Sequence, residues 1–106
     1  MEIDGKKIKN WNDYINLATK FFKLEWLEYD ANQYVDNMTS IELVLDYTSF
    51  LLIVYNYNEF MNRSKKDKKL FEEVYRDYIL PWYDHELVEC SYDRERIDFN
   101  VLLIED

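Results

Sequence analysis

Residues 49–57 read Ser-Phe-Leu-Leu-Ile-Val-Tyr-Asn-Tyr, an almost continuous apolar run between polar segments. A short run of this kind is typical of a strand that is buried on both faces. We therefore expect it to form the middle strand of a sheet. Its fully apolar part, residues 50–55, is much too short to cross a bilayer, which needs about 20 residues.

Two other segments predict the remaining strands. Residues 2–9 alternate weakly, with Ile3 and Ile8 flanking the pair Asp4-Gly5, and this predicts a short strand or the start of a hairpin. Residues 97–104 begin in alternation and end fully apolar, which predicts a closing strand. Residues 41–47 also alternate, and we leave two interpretations open for them, an extra strand or an extended connection.

Apolar residues three and four positions apart predict two long amphipathic helices. Asn10 is the expected N-cap of the first helix. We expect the lysines within residues 65–69 to precede the first turn of the second helix, because cations are unfavourable at a helix N-terminus. Pro81 is expected to end or kink that helix near Ile79, since an interior proline loses a backbone hydrogen bond. Residues 85–96 are expected to be irregular. The apolar stripes consist of Trp11, Tyr14, Ile15, Ala18, Phe21 and Phe22 in the first helix, and of Leu70, Phe71, Val74, Tyr75, Tyr78, Ile79 and Trp82 in the second.

The order of elements, including a short helix within residues 29–40, is strand, helix, helix, strand, helix, strand. Helices between successive strands are what parallel pairing requires, because a parallel connection must cross over the sheet. The sequence therefore predicts an α/β fold of two layers, in which a three-stranded, mainly parallel sheet of order 1-2-3 packs against helices. A chain of 106 residues is expected to form one domain, residues 1–106.

Composition narrows the classes of function. Thirteen basic and twenty-two acidic residues give a net charge of −9, which repels nucleic acids and anionic membranes and attracts a basic partner. With Gly5 as the only glycine, a phosphate-binding glycine loop is excluded. Cys90 is the only cysteine, and residues 1–7 are charged where a signal peptide needs an apolar run, so we expect a cytoplasmic protein.

Catalytic and metal-binding patterns are weak. The only histidine, His85, lies between two acidic residues, and no nucleophile is marked for it. His85 and Cys90 have neither the number nor the spacing of zinc ligands. We therefore expect no enzymatic activity, no metal and no cofactor.

Residues 29–40, Tyr-Asp-Ala-Asn-Gln-Tyr-Val-Asp-Asn-Met-Thr-Ser, predict a short helix with two different faces. The first face is apolar, with Ala31, Tyr34, Val35 and Met38 at helical spacing. The second face is polar, with Asn32, Asp36, Thr39 and Ser40, and the aromatic residues Trp26 and Tyr29 precede it. One interpretation is a solvated helix face with Asp30 as its N-cap. The other is a binding surface, because exposed aromatic residues beside carboxylates suit an interface, and Tyr47 and Trp82 are further candidates.

Several segments are similar to the barstar family of bacterial ribonuclease inhibitors. The similar segments are Ile3-Asp4-Gly5-Lys6-Lys7-Ile8, Asn12-Asp13, Tyr34-Val35-Asp36-Asn37-Met38-Thr39, Phe50-Leu51-Leu52-Ile53-Val54, Val74-Tyr75-Arg76-Asp77 and the C-terminal apolar strand. The order of elements resembles that family over most of the chain. Two features differ: the glycine that the family has before the short helix is absent, and within the helix Val35 replaces an aromatic residue.

The resemblance implies that the helix over residues 30–39 is inhibitory. Asp36 then matches the aspartate that enters the phosphate-binding site of the nuclease, and Asp77 occupies the position at which the family has a second, peripheral acidic residue. The expected function is that of an immunity protein that binds a basic nuclease toxin as a monomer in a 1:1 complex. The alternative is a small acidic interaction domain or regulator subunit with a basic partner that is not a nuclease. The expected partner-binding residues are Trp26, Tyr29, Asp30, Asn32, Gln33, Asp36, Thr39, Ser40 and Asp77.

Overall fold

A computed structural model describes residues 1–24, 27–40, 49–86 and 98–105. Its three strands are β1 (Glu2–Asp4), β2 (Ser49–Tyr55) and β3 (Asp98–Leu103). They form one sheet in the order β1-β2-β3, and both pairs are parallel. The predicted α/β fold with a three-stranded parallel sheet of order 1-2-3 is confirmed.

The prediction that the middle strand is buried on both faces was wrong, because its side chains on one face are exposed. Phe50, Leu52 and Val54 point into the core and are 5%, 0% and 0% exposed. Leu51 and Tyr55 point the other way and are 48% and 37% exposed. All the helices described below pack against the first face. An apolar run shows no alternation when its outer residues are also apolar, and the sequence therefore could not distinguish the two cases.

Helix α1 (Trp11–Phe21) begins at the predicted cap. The side chain of Asn10 accepts a hydrogen bond from the Asp13 N–H at 2.9 Å, which satisfies one of the unpaired donors of the first turn. Trp11, Tyr14, Ile15 and Ala18 are buried as the stripe predicts, as is Phe22, which caps the helix. Phe21 is 46% exposed and does not belong to the buried stripe.

Helix α2 (Ala31–Met38) and helix α3 (Lys65–Glu73) complete the helical layer. Helix α3 begins at Ser64, whose hydroxyl accepts from the Asp67 N–H at 3.2 Å. Lys65 and Lys66 thus lie inside its first turn, contrary to prediction. The Asp67 carboxylate offsets their charge there, and it also accepts from the Trp11 N–H of α1 at 2.9 Å.

Pro81 does not end α3, so that alternative of the prediction was wrong, and the helix instead changes its winding before the proline. The helix continues as π-helical turns over Val74–Ile79 and Trp82–Glu86, and the last turn includes the backbone of His85. In the first of these segments the Leu80 N–H bonds the Tyr75 carbonyl, five residues back, instead of the carbonyl four residues back. Such wider turns give the backbone N–H and C=O groups near a proline other hydrogen-bond partners.

The segment after β1 is a 3-10 turn, Gly5–Lys7, and not a hairpin. Gly5 is required there, because a Cβ atom at this position would lie 2.4 Å from the Asn56 carbonyl oxygen. Another 3-10 turn, Tyr57–Glu59, follows β2, and beyond it the Met61 N–H donates to the Ile8 carbonyl at 2.9 Å. The two connections therefore hold each other at the same end of the sheet.

The core contains a ring of three tyrosine hydroxyls, one from each of α1, α2 and the π segment of α3. The oxygen distances are 2.7 Å for Tyr14–Tyr34, 2.5 Å for Tyr14–Tyr75 and 2.6 Å for Tyr34–Tyr75. A hydroxyl donates one hydrogen bond and accepts others, so each member can donate to one neighbour and accept from the next. We call this arrangement the hydroxyl triangle. Its members are at most 3% exposed, and no described side chain leaves a buried polar atom unpaired.

Some sequence expectations lie outside the described residues. These are the alternation of residues 41–47, the aromatic residues Trp26 and Tyr47, Cys90, and most of the segment 85–96. Among the helices of the described ranges, none combines the length and the apolar character needed to cross a membrane.

Candidate functional site: the groove between two helices

The segment leading into α2 is fixed by hydrogen bonds to α1. The Trp11 indole N–H donates to the Tyr29 carbonyl oxygen at 2.7 Å, and the Tyr29 hydroxyl donates to Asn16 Oδ1 at 2.7 Å. The Tyr29 ring remains 41% exposed. The loop before the helix therefore presents an aromatic surface whose position is set by α1.

Asp30 begins α2 as the sequence predicts. Its carboxylate accepts from the Gln33 N–H at 3.1 Å. A carboxylate at this position also interacts favourably with the positive end of the helix. Asp30 thus has a structural role, and its charge remains exposed beside the polar face.

Tyr34 and Met38 hold α2 against the core, with exposed fractions of 1% and 0%. Tyr34 belongs to the hydroxyl triangle, and the Met38 carbonyl accepts from the Tyr83 hydroxyl at 2.8 Å. These contacts tie both turns of a short helix to α1 and α3. The polar face of α2 is therefore presented by an anchored helix.

A groove of about 410 Å³ lies between α2 and α3. Its half-buried apolar residues include Val35 and Leu70, and Asp36 and Glu73 supply carboxylates. Tyr78, which is 59% exposed, also lines it. The lining residues are Ala31, Asn32, Val35 and Asp36 from α2 and Leu70, Glu73, Val74 and Tyr78 from α3 and its π segment. No basic side chain is among the described residues that line it, and the charges that these residues supply to the α2–α3 groove are negative.

Both carboxylates of the groove are accessible to a partner. Asp36 is exposed. Glu73 lies 3.9 Å from the Lys69 ammonium, one helical turn earlier, and both side chains are substantially exposed. An exposed pair of this kind contributes little and is screened by salt, so the Glu73 charge remains accessible to a partner.

Of the other predicted site residues on α2 and at its C-terminal end, only Asn32 lines the groove. Asn32 is in the groove, whereas Gln33 is exposed outside it, with its amide 3.5 Å from Asn37 Oδ1. Thr39 and Ser40 follow α2, and their hydroxyls donate to the carbonyl oxygens of Val35 and Asn37 at 2.7 and 3.2 Å. These two hydroxyls therefore close the end of the helix.

Asp77 is not part of the groove lining. Its carboxylate accepts two hydrogen bonds from the Arg76 guanidinium, at 2.8 and 3.0 Å. This hydrogen bonding lowers the pKa of Asp77 below its usual range. The local charge of Asp77 is thus largely balanced by its neighbour.

Sequence reasoning missed Glu73 and Tyr78. Glu73 lies three residues after Leu70, so the helical spacing placed it at the border of the apolar stripe. Tyr78 was predicted to be buried, and that was wrong. The π turn puts more residues in each turn than an α-helix does and rotates Tyr78 outward, while Tyr75 and Ile79 stay buried at 3% and 0% exposure.

A second groove, of about 370 Å³, lies on the neighbouring face of α3 and is mainly basic. Lys65, Lys68, Lys69 and Arg76 line it together with Glu72 and Glu73. The Lys68 ammonium is already bound, because it donates to the Tyr57 carbonyl oxygen at 2.8 Å and lies 4.3 Å from the centre of the Tyr57 ring. Helix α3 therefore separates a basic surface from the acidic groove.

Within the described residues, no three His, Cys, Asp or Glu side chains are arranged to hold a metal ion. A scan against protein-family models found no match, and searches of the curated proteins and of the solved structures found no significant match. The fold and the groove thus define a small α/β protein with an acidic, aromatic cleft between two helices.

Proposed function

We propose that this protein is a cytoplasmic immunity protein that neutralises a basic nuclease toxin, and that this toxin is a ribonuclease. The face of α2 that carries Asp36, together with the groove beside it, binds over the basic active site of the nuclease in a 1:1 complex. The protein itself has no catalytic role in this proposal. It acts by preventing access of the nucleic acid substrate.

The observation that carries the proposal is the composition of the α2–α3 groove. It combines the Asp36 and Glu73 carboxylates with the exposed Tyr78 ring, and none of the described residues that line it is a cation. A nuclease active site concentrates positive charge where the substrate phosphate binds, so carboxylates can take the place of that phosphate. The aromatic ring beside them offers a contact surface for the alkyl chain of a lysine or for the planar guanidinium group of an arginine.

Two further properties support a binding role. The net charge of −9 would accelerate the encounter with a basic partner at low salt. The caps and core contacts of α2 order its polar face before binding, and this reduces the conformational entropy lost in a complex. The resemblance to the barstar family, in which Asp36 matches the phosphate-mimicking acid, supports the same function.

The test is inhibition of a basic nuclease toxin domain, sought among the genes beside this one, and it is measured with the purified proteins. The parent protein should inhibit it stoichiometrically. Asp36→Ala should lose about 2–5 kcal/mol of binding free energy, mainly through faster dissociation, because it leaves cations of the nuclease buried and unpaired. Inhibition titrations and surface plasmon resonance measure this loss.

Asp77→Ala is the matched control, since it removes an exposed acid on α3 outside the groove. It should change binding by about 1 kcal/mol or less and act mainly on association. Thermal melting confirms that both variants are folded. If Asp36→Ala inhibits like the parent while Asp77→Ala does not, the binding surface is elsewhere. Tight binding without inhibition would instead support the alternative function, an acidic interaction domain.

A further inference from the structure

The sheet face opposite the described helices carries an apolar patch. Leu51 and Tyr55 of β2 are 48% and 37% exposed, and Ile53 between them is half-buried. Ile53 is paired in register with Leu102 of β3, which is 49% exposed, and Ile104 follows on the same face at 37%. We call Leu51, Ile53, Tyr55, Leu102 and Ile104 the outer patch. The helices lie on the opposite side of the sheet, so the outer patch is separate from the α2–α3 groove.

Strand β3 lies at the edge of the sheet with one side of its backbone directed outward. The Ile104 N–H donates to the Val54 carbonyl at 2.9 Å, and the Ile104 carbonyl accepts from the Tyr57 N–H at 2.8 Å. Both groups of Ile104 thus face β2. Because backbone direction alternates along a strand, the N–H and C=O groups of residues 99, 101 and 103 face away from β2. Within the described ranges, no strand pairs with that side of β3.

The charges around the outer patch are mainly negative. Glu2 and Asp4 of β1 are paired in register with Ile53 and Tyr55, and alternation places their side chains on the same face. The exposed Glu105 follows β3. A cation, the Met1 ammonium, donates to the Leu51 carbonyl at 2.5 Å on the side away from β3. A second copy of a chain of net charge −9 would bring like charges together, whereas a basic partner is complementary.

We propose that an extended segment of a basic partner protein adds to β3 as a fourth strand. Its backbone pairs with the outward groups of residues 99, 101 and 103. Its apolar side chains extend the outer patch, and a lysine or arginine at its end meets the exposed Glu105. Glu2 and Asp4 lie on β1, at the opposite edge of the sheet, and attract the partner only as part of the net charge of −9. Main-chain hydrogen bonds provide affinity in this mode of recognition, and alternate side chains provide specificity. An open edge strand with apolar side chains is the kind of surface that otherwise promotes aggregation, and such a partner would protect it.

The probe is a synthetic peptide with alternating valine and threonine between two lysines at each end. We expect it to bind the whole protein and to slow hydrogen exchange at the amides of Phe99, Val101 and Leu103. A peptide with glutamates in place of the lysines should bind at least about tenfold more weakly at low salt. Absence of binding by the lysine peptide, or equal binding of both peptides, would overturn the proposal.

Leu103→Pro tests the backbone contact. It removes one outward N–H without breaking a bond to β2, and proline is accepted at such edge positions. It should weaken the lysine peptide about tenfold or more, whereas Leu103→Thr, which keeps the N–H, should bind nearly as the parent does. Unchanged binding by a folded Leu103→Pro variant would refute strand addition. If Leu103→Pro does not fold, hydrogen exchange of the parent protein with and without the lysine peptide is the test, and slower exchange at Phe99, Val101 and Leu103 supports strand addition. Protection of the same amides without peptide, increasing with protein concentration, would show instead that a second copy occupies the edge.

Discussion

Lys23 follows Phe22, the C-cap residue of α1, and has the left-handed backbone conformation with a φ of 54°. The Leu24 N–H bonds the Thr19 carbonyl at 3.0 Å, and the Lys23 N–H approaches the Lys20 carbonyl at 3.4 Å. These two bonds form a Schellman motif, in which the residue at this position is usually glycine. A side chain costs about 1–2 kcal/mol in the left-handed region.

Lys23→Gly should therefore stabilise the protein. We expect a gain of about 0.5–1 kcal/mol, because the relief of the left-handed conformation exceeds the greater entropy that glycine has in the unfolded chain. Urea titration of the free energy of unfolding measures it. Lys23→Ala retains a Cβ atom and serves as the control, which should show no such gain. A destabilised Lys23→Gly variant would mean that the lysine side chain makes a stabilising contact that exceeds the backbone strain.

Residue-level features were predictable where the cause is local. Asn10 and Asp30 were both identified as N-caps because their side chains bond backbone groups three residues away. None of the left-handed residues Lys23, Asn56 and Met61 is a glycine, and only Asn56 is of a type that often adopts this conformation. A tertiary contact accompanies the left-handed conformation of Met61, whose N–H bonds the distant Ile8 carbonyl, whereas local Schellman bonds accompany that of Lys23.

The hydroxyl triangle joins the three helices at a buried point, and removing one member leaves the other two hydroxyls incompletely paired. Tyr34→Phe should destabilise the protein by about 1–3 kcal/mol, because an unsatisfied buried hydroxyl bears its full desolvation cost. Replacing all three tyrosines by phenylalanine removes every polar partner together. The triple variant should therefore lose less free energy than the sum of the three single variants.

Chemical denaturation of the single, double and triple variants measures this coupling. Tyr83→Phe is a suitable comparison, because its hydroxyl bonds a single backbone carbonyl, that of Met38, outside the triangle. Combined with Tyr34→Phe it should be nearly additive. Strict additivity among the members of the triangle would show that their hydrogen bonds do not form one network.

At the scale of elements, the apolar spacing predicted α1 and α2, and it predicted α3 up to the point where its winding changes. Tyr14, Tyr34 and Tyr75 were all placed on buried stripes, and all three are buried. The meeting of their hydroxyls depends on how three helices cross, which a linear pattern does not contain. The same holds for the α2–α3 groove. Its α2 side was predicted around Asp36, but Tyr78 reaches it only because of the π turn.

For the whole molecule, the buried tyrosines make stability depend on pH in the alkaline range. Burial raises the pKa of Tyr75 to about 12, and it also raises the pKa values of Tyr14 and Tyr34 well above their usual range. In the unfolded chain these groups lose their protons near pH 10. The folded state then binds more protons than the unfolded state, so stability is fully present below pH 10 and falls as the pH rises from 10 towards 12.

We expect the free energy of unfolding to fall above pH 10 by as much as about 1.4 kcal/mol per pH unit for each tyrosine that stays protonated in the folded state. Urea titrations between pH 8 and 12 test this. The variant with phenylalanine at positions 14, 34 and 75 should show a shallower slope over that range. An identical slope would assign the alkaline loss to other groups.

The overall topology was predictable because the order of strands and helices permits parallel pairing. The covering of one sheet face was not, because the outer residues of β2 are as apolar as the inner ones. The apolar outer residues of β2, which led to the wrong prediction of a strand buried on both faces, also form part of the outer patch.

Parallel pairing also has a consequence for how the chain reaches this structure. Glu2 is in register with Ile53, and Ser49 with Asp98, so each pair of neighbouring strands joins residues about 50 positions apart. Among the described strands no pair is a local hairpin that could close early, and the loop entropy must be lost before strand contacts compensate for it. During synthesis, β1 leaves the ribosome long before β2, and β2 long before β3. We therefore expect the helices to form first and the sheet to assemble late, with milliseconds to seconds as the time scale of folding.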